Sequence, residues 1–368
     1  MNNKQLPTNQ PTDLYIEPCT FVKTVLMLIV VLYHSILFWG GKWFSAIEPN
    51  VTIPSVSLFA GWLATFHVYG FVLTSGYLYS YLRYEKNKYQ CYGLLLRNKA
   101  LRLLIPYVFV SVIWAVPIGQ VFFHLSLKEI LNKYLLGISP SQLWFLLMLF
   151  WVFVIVWPFS NKIHSSNWFS VMFAVITYVV GILGGHLVNN YFQIWTAFQF
   201  ILFFVIGMKL RDAHCKMKLL NPRWYILGLF LIVHVMIYVL KEIYLPKEGV
   251  IYTCADLLIT CLLNIVGSLL AFFILQTIAN IIRFKRISNS KWFMLLAKSS
   301  MIIYLFHQQL IYISIAIFNT LINPYINMLI NFVFAIIVSV IFAVIFTSNR
   351  YLSFLVGEKS KSNVAKQE

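Results

Sequence analysis

Runs of mostly apolar residues recur along the whole chain, each broken by a short group of charges, amides, glycine or proline. Crossing ~30 Å of hydrocarbon takes about 20 such residues in a helix. Ten runs meet that requirement, beginning near Phe21, Leu58, Leu103, Leu143, Trp168, Ile194, Trp224, Leu257, Met301 and Ile326. The pattern predicts an all-α integral membrane protein, a bundle of about ten transmembrane helices. Pro106 and Pro117 fall in the third run and Trp157-Pro158 closes the fourth; membrane helices tolerate proline where neighbours re-satisfy the backbone. Residues 1–20 read as an N-terminal segment, 21–348 as the membrane domain and 349–368 as a C-terminal tail. The first run follows a nearly neutral segment with prolines at 7, 11 and 18 and precedes no clear small-residue cleavage site, so it reads as a retained helix.

Composition removes the soluble alternative. The chain is 60% hydrophobic and only 11% charged, with a mean hydropathy of +0.79, more apolar surface than a water-soluble core can hide. The net charge of +17 is not massed along one face as a nucleic-acid footprint would be, and no nucleic-acid partner is expected. Alternating the ten spans puts 23 of the 28 Lys and Arg on the side of the termini and leaves Lys42, Lys128, Lys133, Lys241 and Lys247 on the other. By the positive-inside rule both termini are cytoplasmic. Five scattered cysteines predict free thiols; Cys254 and Cys261 are two helical turns apart, too far to bridge on one helix.

All eleven carboxylates fall in or near loops, Asp256 at the mouth of the eighth span being the most nearly buried. Ion-coupled transporters generally keep an intramembrane carboxylate, and a metal hydrolase would want His and carboxylate ligands together; no metal is expected. The interior instead holds His34, His67, His234 and His307. Lys23 precedes His34 by eleven residues, which returns the helix to within about 20° of one face and places His34 some 16 Å deeper. Met27 and Val30 or Val31 continue that stripe. The pair is either a cation and a base on one functional face or a snorkelling anchor and a packing histidine. His307 lies nine residues, roughly 13 Å, beyond Lys298 and is followed by Gln308 and Gln309; these three either line a polar cavity or cement helix contacts. Before the third run, Arg97, Lys99 and Arg102 form either a phosphate clamp or an ordinary topology signal.

Five segments together resemble the membrane-bound acyltransferase type 3 family. They are KTVLMLIVVLYH from Lys23 to His34, FVLTSGYL containing Ser75 and Gly76, RNKALRLLIPY from Arg97 to Tyr107, LWFL from Leu143 to Leu146, and SSMIIYLFH ending at His307. The family pattern is a basic residue, ten residues and then His; here the basic residue is Lys23, where Arg is commoner. The resemblance implies a ten-helix protein of the bacterial cytoplasmic (inner) membrane that takes an acetyl or similarly short acyl group from acetyl-CoA or another acyl-CoA and O-acylates a glycan outside. It implies His34 and Lys23 as catalytic residues, with Arg97, Lys99 and Arg102 binding the donor. Ser75, Trp144, Tyr304 and His307 would line the channel or acceptor site. The partners expected are acyl-CoA, a glycan acceptor and the lipid bilayer. The alternative is a polysaccharide or lipid-linked glycan exporter whose polar groups line a path without making bonds.

Overall fold

A backbone in lipid must satisfy its own amides, and helices do so within one segment. The computed structural model describes residues 16–41, 43–217, 223–245, 249–281 and 290–358, and these are helical with no β-strand among them. Segments 1–15 and 359–368, and Lys42, Lys218, Lys247, Glu248, Arg283, Lys285 and Arg286 from the charge count above, lie outside the described residues. Ten helical spans among the described residues are long and apolar enough to cross a membrane.

The first span is α1 (Ile16–Leu37). The second is kinked: α2 (Pro54–Ala64) ends where the Thr65 hydroxyl donates to the Trp62 carbonyl at 2.7 Å, and α3 (His67–Ser80) resumes after Phe66 leaves helical geometry. The third span starts at Tyr92, earlier than the apolar run suggests, because the basic residues before Leu103 lie inside helical turns. It comprises α4 (Tyr92–Lys99), α5 (Ile105–Val110) and α6 (Val116–Phe123), joined by π-helical turns at Ala100–Leu104 and Ser111–Ala115. Each wide turn precedes a proline, and Pro106 and Pro117 have no N–H for the carbonyls of Arg102 and Ile113. A short α7 (Leu127–Ile130), capped reciprocally by Ser126 and Glu129, leads to the fourth span. There follow α8 (Trp144–Ser165), α9 (Asn167–Leu187), α10 (Ile194–Met217), α11 (Trp224–Tyr244), α12 (Val250–Ile281), α13 (Lys291–Phe318) and α14 (Pro324–Ser348). The expected tail is folded as far as Glu358: α15 (Arg350–Leu355) packs on α5.

Helix α1 sits at the centre, against α3, α12, α13 and α14, while α11 touches the bundle mainly through α12 and α2. The closest pair is α3 with α10. A Cβ at Gly76 would lie 2.0 Å from the Phe204 carbonyl oxygen, and one at Gly207 2.0 Å from that of Leu73. Backbones that close need a residue without a side chain on each helix.

Among the described residues the most buried carboxylate is Asp212, not Asp256. The Asp212 side chain is 5% exposed and is held by Lys209 at 3.4 Å, His164 at 2.9 Å and the Ser80 hydroxyl at 3.1 Å. Asp256 is 48% exposed and pairs with Lys241 at 2.9 Å. Position along a span did not predict burial here because an acid enters a bundle only where cations and donors are gathered to meet it.

Candidate active site

A cavity of about 820 Å³ runs inside the bundle and is lined by Lys23, Met27, Val30 and His34 of α1. Steps of four, three and four residues keep these side chains on one helix face. The cavity wall extends from Thr20, Tyr89, Lys99, Arg102 and Glu358 at the basic end of the bundle to Thr196 and Gln199 near the start of α10.

The ring of His34 is held from behind. Its Nδ1 is 2.9 Å from the Val30 carbonyl and 3.2 Å from Nε2 of His307. His307 Nδ1 in turn faces the carbonyls of Tyr304 at 2.8 Å and Ile303 at 3.2 Å. A carbonyl can only accept, so each neutral ring carries its proton on Nδ1. His34 Nδ1–H then donates to both Val30 and the His307 Nε2 lone pair, leaving the His34 Nε2 lone pair for the cavity. His307 is 0% exposed and lies behind His34, outside the cavity wall.

At the basic end Lys23, Lys99 and Arg102 line the cavity, whereas Arg97 is exposed and does not. Lys99 and Arg102 are three residues apart and share a face, while Arg97 stands two residues, about 200°, away from Lys99. Lys99 Nζ lies 3.7 Å from the Phe153 ring centre and Lys23 Nζ 5.4 Å from that of Phe71. Gly357, with φ +71°, brings the chain after α15 against this turn; a Cβ there would be 2.7 Å from the Arg102 carbonyl oxygen. Glu358 thereby joins the cavity wall.

Ser75, Trp144 and Tyr304 line the middle. The run Ser75-Gly76-Tyr77 divides its labour. Ser75 faces the cavity, Gly76 admits α10, and the Tyr77 hydroxyl accepts from Arg211 Nη1 at 3.0 Å. Arg211 also grips Glu85, at 2.5 and 2.6 Å. The Tyr304 hydroxyl donates to the Gln142 carbonyl, and the Gln142 and Gln309 amides exchange bonds of 2.7 and 3.0 Å. Gln308 donates to Tyr312 at 2.5 Å. His307 and Gln309 therefore join segments, Gln308 bonds within α13, and of this group only Gln142 and Tyr304 reach the cavity.

The family pattern described as an acyltransferase domain matches residues 20–348. The chain belongs to the membrane-bound acyltransferase type 3 family. No match was found among curated proteins or solved structures. It is a multi-pass membrane acyltransferase, and an acyltransferase must bring an acyl donor and an acceptor to one place.

Two cavity groups of this acyltransferase escaped the sequence reading as site residues. His67 is 4% exposed, its Nδ1 lies 2.7 Å from the Leu63 carbonyl, and it too lines the cavity. With its proton on Nδ1, His67 presents an acceptor. Its signal was a histidine beside the kink after α2, where backbone geometry is not helical. Gln142 precedes the LWFL run by one residue and lacks any pattern of its own. His234, by contrast, is a packing residue: it accepts from Trp62 Nε1 at 3.2 Å and donates to the Leu263 carbonyl at 3.0 Å.

Proposed function

We propose that this acyltransferase moves an acetyl or similarly short acyl group from cytosolic acyl-CoA to a hydroxyl of a glycan on the outer side of a bacterial cytoplasmic membrane. The observation that supports this reading is that one cavity contains both the Lys23, Lys99 and Arg102 cations and the unengaged Nε2 of His34. The phosphates of the donor suit the cations, and the slender pantetheine arm suits the passage between them and His34. Sidedness rests on the charge asymmetry of 23 to 5.

In this scheme the acceptor oxygen bonds to the thioester carbonyl carbon and the carbon–sulfur bond breaks. The acceptor proton passes to His34 Nε2 and from there to the leaving thiolate. His34 is neutral in the resting site and becomes an imidazolium in the transition state, when its Nδ1–H bonds to Val30 and His307 strengthen.

The test uses protein purified in lipid nanodiscs, acetyl-CoA with a labelled acetyl group, and native cell-surface glycan. Wild type should release CoA thiol and label the glycan; His34→Gln should lose about 10²-fold or more, the usual contribution of a general base. Glycan movement across the membrane without thiol release would indicate an exporter. Transfer by His34→Gln above a tenth of wild type would remove His34 as the base.

A further inference from the structure

A second cavity, of about 410 Å³, opens between the end of α9, the start of α10 and the first half of α12. It shares Tyr69, Thr196 and Gln199 with the wall of the cavity that holds His34. We propose that this second cavity is the acceptor subsite and that it takes an uncharged pyranose ring of the glycan, with one hydroxyl presented past Thr196 and Gln199 to His34. The inference rests on the O-acyltransferase reading above.

The wall has the chemistry of sugar recognition. Trp195 and Tyr69 contribute aromatic surface, which suits the C–H face of a ring while hydroxyls bond at its rim. The polar groups are mostly amides and hydroxyls. Gln199 donates Nε2 to the Gly181 carbonyl at 3.1 Å, and no protein donor meets its Oε1 among the described residues. The Thr260 hydroxyl is buried with no hydrogen-bond partner among the described residues. Leaving such a group unmet is costly, and a ligand hydroxyl would satisfy it.

Charge narrows the class. Among the described residues the wall contains no Lys or Arg; besides tyrosines its ionisable side chains are His186 and Asp256, and Asp256 already has the Lys241 ammonium at 2.9 Å. A uronic or sialic acid would meet a carboxylate and find no Lys or Arg in the wall to offset it. The cavity also depends on missing side chains: a Cβ at Gly184 would lie 2.3 Å from the Trp195 ring and one at Gly181 2.7 Å from Gln199. These glycines of α9 let the two recognition residues of α10 take their places. The volume lies in the lower part of the range for small-molecule sites, roughly 300–1,000 Å³, enough for a sugar ring and too little for CoA.

Transfer from labelled acetyl-CoA into membranes of the producing cells tests this, with butanol-extractable label reporting lipid-linked sugars and unextractable label reporting polymer. Gln199→Leu and Thr260→Val should each raise the acceptor KM about tenfold, the loss of one hydrogen bond, with the donor KM unchanged. A donor KM and a thermal midpoint equal to wild type show that both variants still fold. The rise should appear in whichever label pool the wild type fills. Wild-type acceptor KM in both single variants, or an equal rise in donor KM, would overturn the subsite while leaving the acyltransferase reading intact. Absence of any labelled glycan or thiol release with wild type would overturn that reading and this inference with it. Transfer confined to an anionic sugar would overturn the assignment of an uncharged ring.

Discussion

Replacing His307 by Leu tests whether a residue with no access to substrate sets the chemistry of His34. The substitution removes the Nε2 lone pair 3.2 Å from His34 Nδ1 and leaves the Val30 carbonyl at 2.9 Å as the remaining partner. While His34 is neutral, the lost bond is an ordinary one, worth about 0.5–1.5 kcal/mol. When His34 holds the acceptor proton, the same bond is made to a cation and is worth about 1.5–3 kcal/mol. The difference, about 1–1.5 kcal/mol, falls on the transition state, so kcat should drop roughly five- to twelvefold. The carbonyls of Ile303 and Tyr304 that face His307 lie inside α13 and keep their helical bonds, so the fold should tolerate the change.

The assay is steady-state acetyl transfer with donor and acceptor varied separately. His307→Leu should lower kcat and leave both KM values near wild type. His307→Gln, whose carbonyl oxygen can accept from Nδ1–H, should recover part of the loss. A kcat within threefold of wild type in His307→Leu would refute the argument, since it would mean that Val30 alone holds the ring. A rise in donor KM with kcat unchanged would also refute it, by placing His307 in binding.

Three further outcomes follow from the geometry. Arg102→Ala should weaken CoA binding by roughly tenfold, as the loss of one charge-assisted contact does, whereas Arg97→Ala, whose side chain is outside the cavity, should bind CoA as wild type does; calorimetry on purified protein distinguishes them. Gly76→Ala should destabilise the protein by about 1–3 kcal/mol, because a methyl 2.0 Å from the Phe204 carbonyl oxygen forces α3 and α10 apart; a thermal midpoint equal to wild type would show that the pair can separate freely. Single cysteines introduced between residues 43 and 57 should label in intact cells, and those between 86 and 99 only after permeabilisation; the reverse pattern would sink transfer from the inside outward.

The membrane class and the number of spans were legible because lipid imposes one rule on every span and length alone reveals it. The stripe from Lys23 to His34 was legible for a related reason: α1 is one unbroken helix, so angular arithmetic carries across eleven residues, and it chooses Val30 over Val31 as the lining residue. Arg97, Lys99 and Arg102 were grouped by charge, yet rotation alone separates the first from the other two, and only those two line the cavity.

Other parts of the site depend on information that no single segment contains. His307 and His34 were matched by depth, but depth does not say which of two facing histidines stands in front; that follows from how α1 and α13 are turned toward each other. Interruptions in the helices hide still more. His67 follows a break after α2, and Gln193, the last residue before α10, has φ +60°, so helical phase cannot be carried from the preceding span into either cavity wall. In a bundle this apolar, the second cavity was harder to read because its wall draws on α3, α9, α10 and α12 together, whereas His34 was readable because it stands with Lys23 on one unbroken helix.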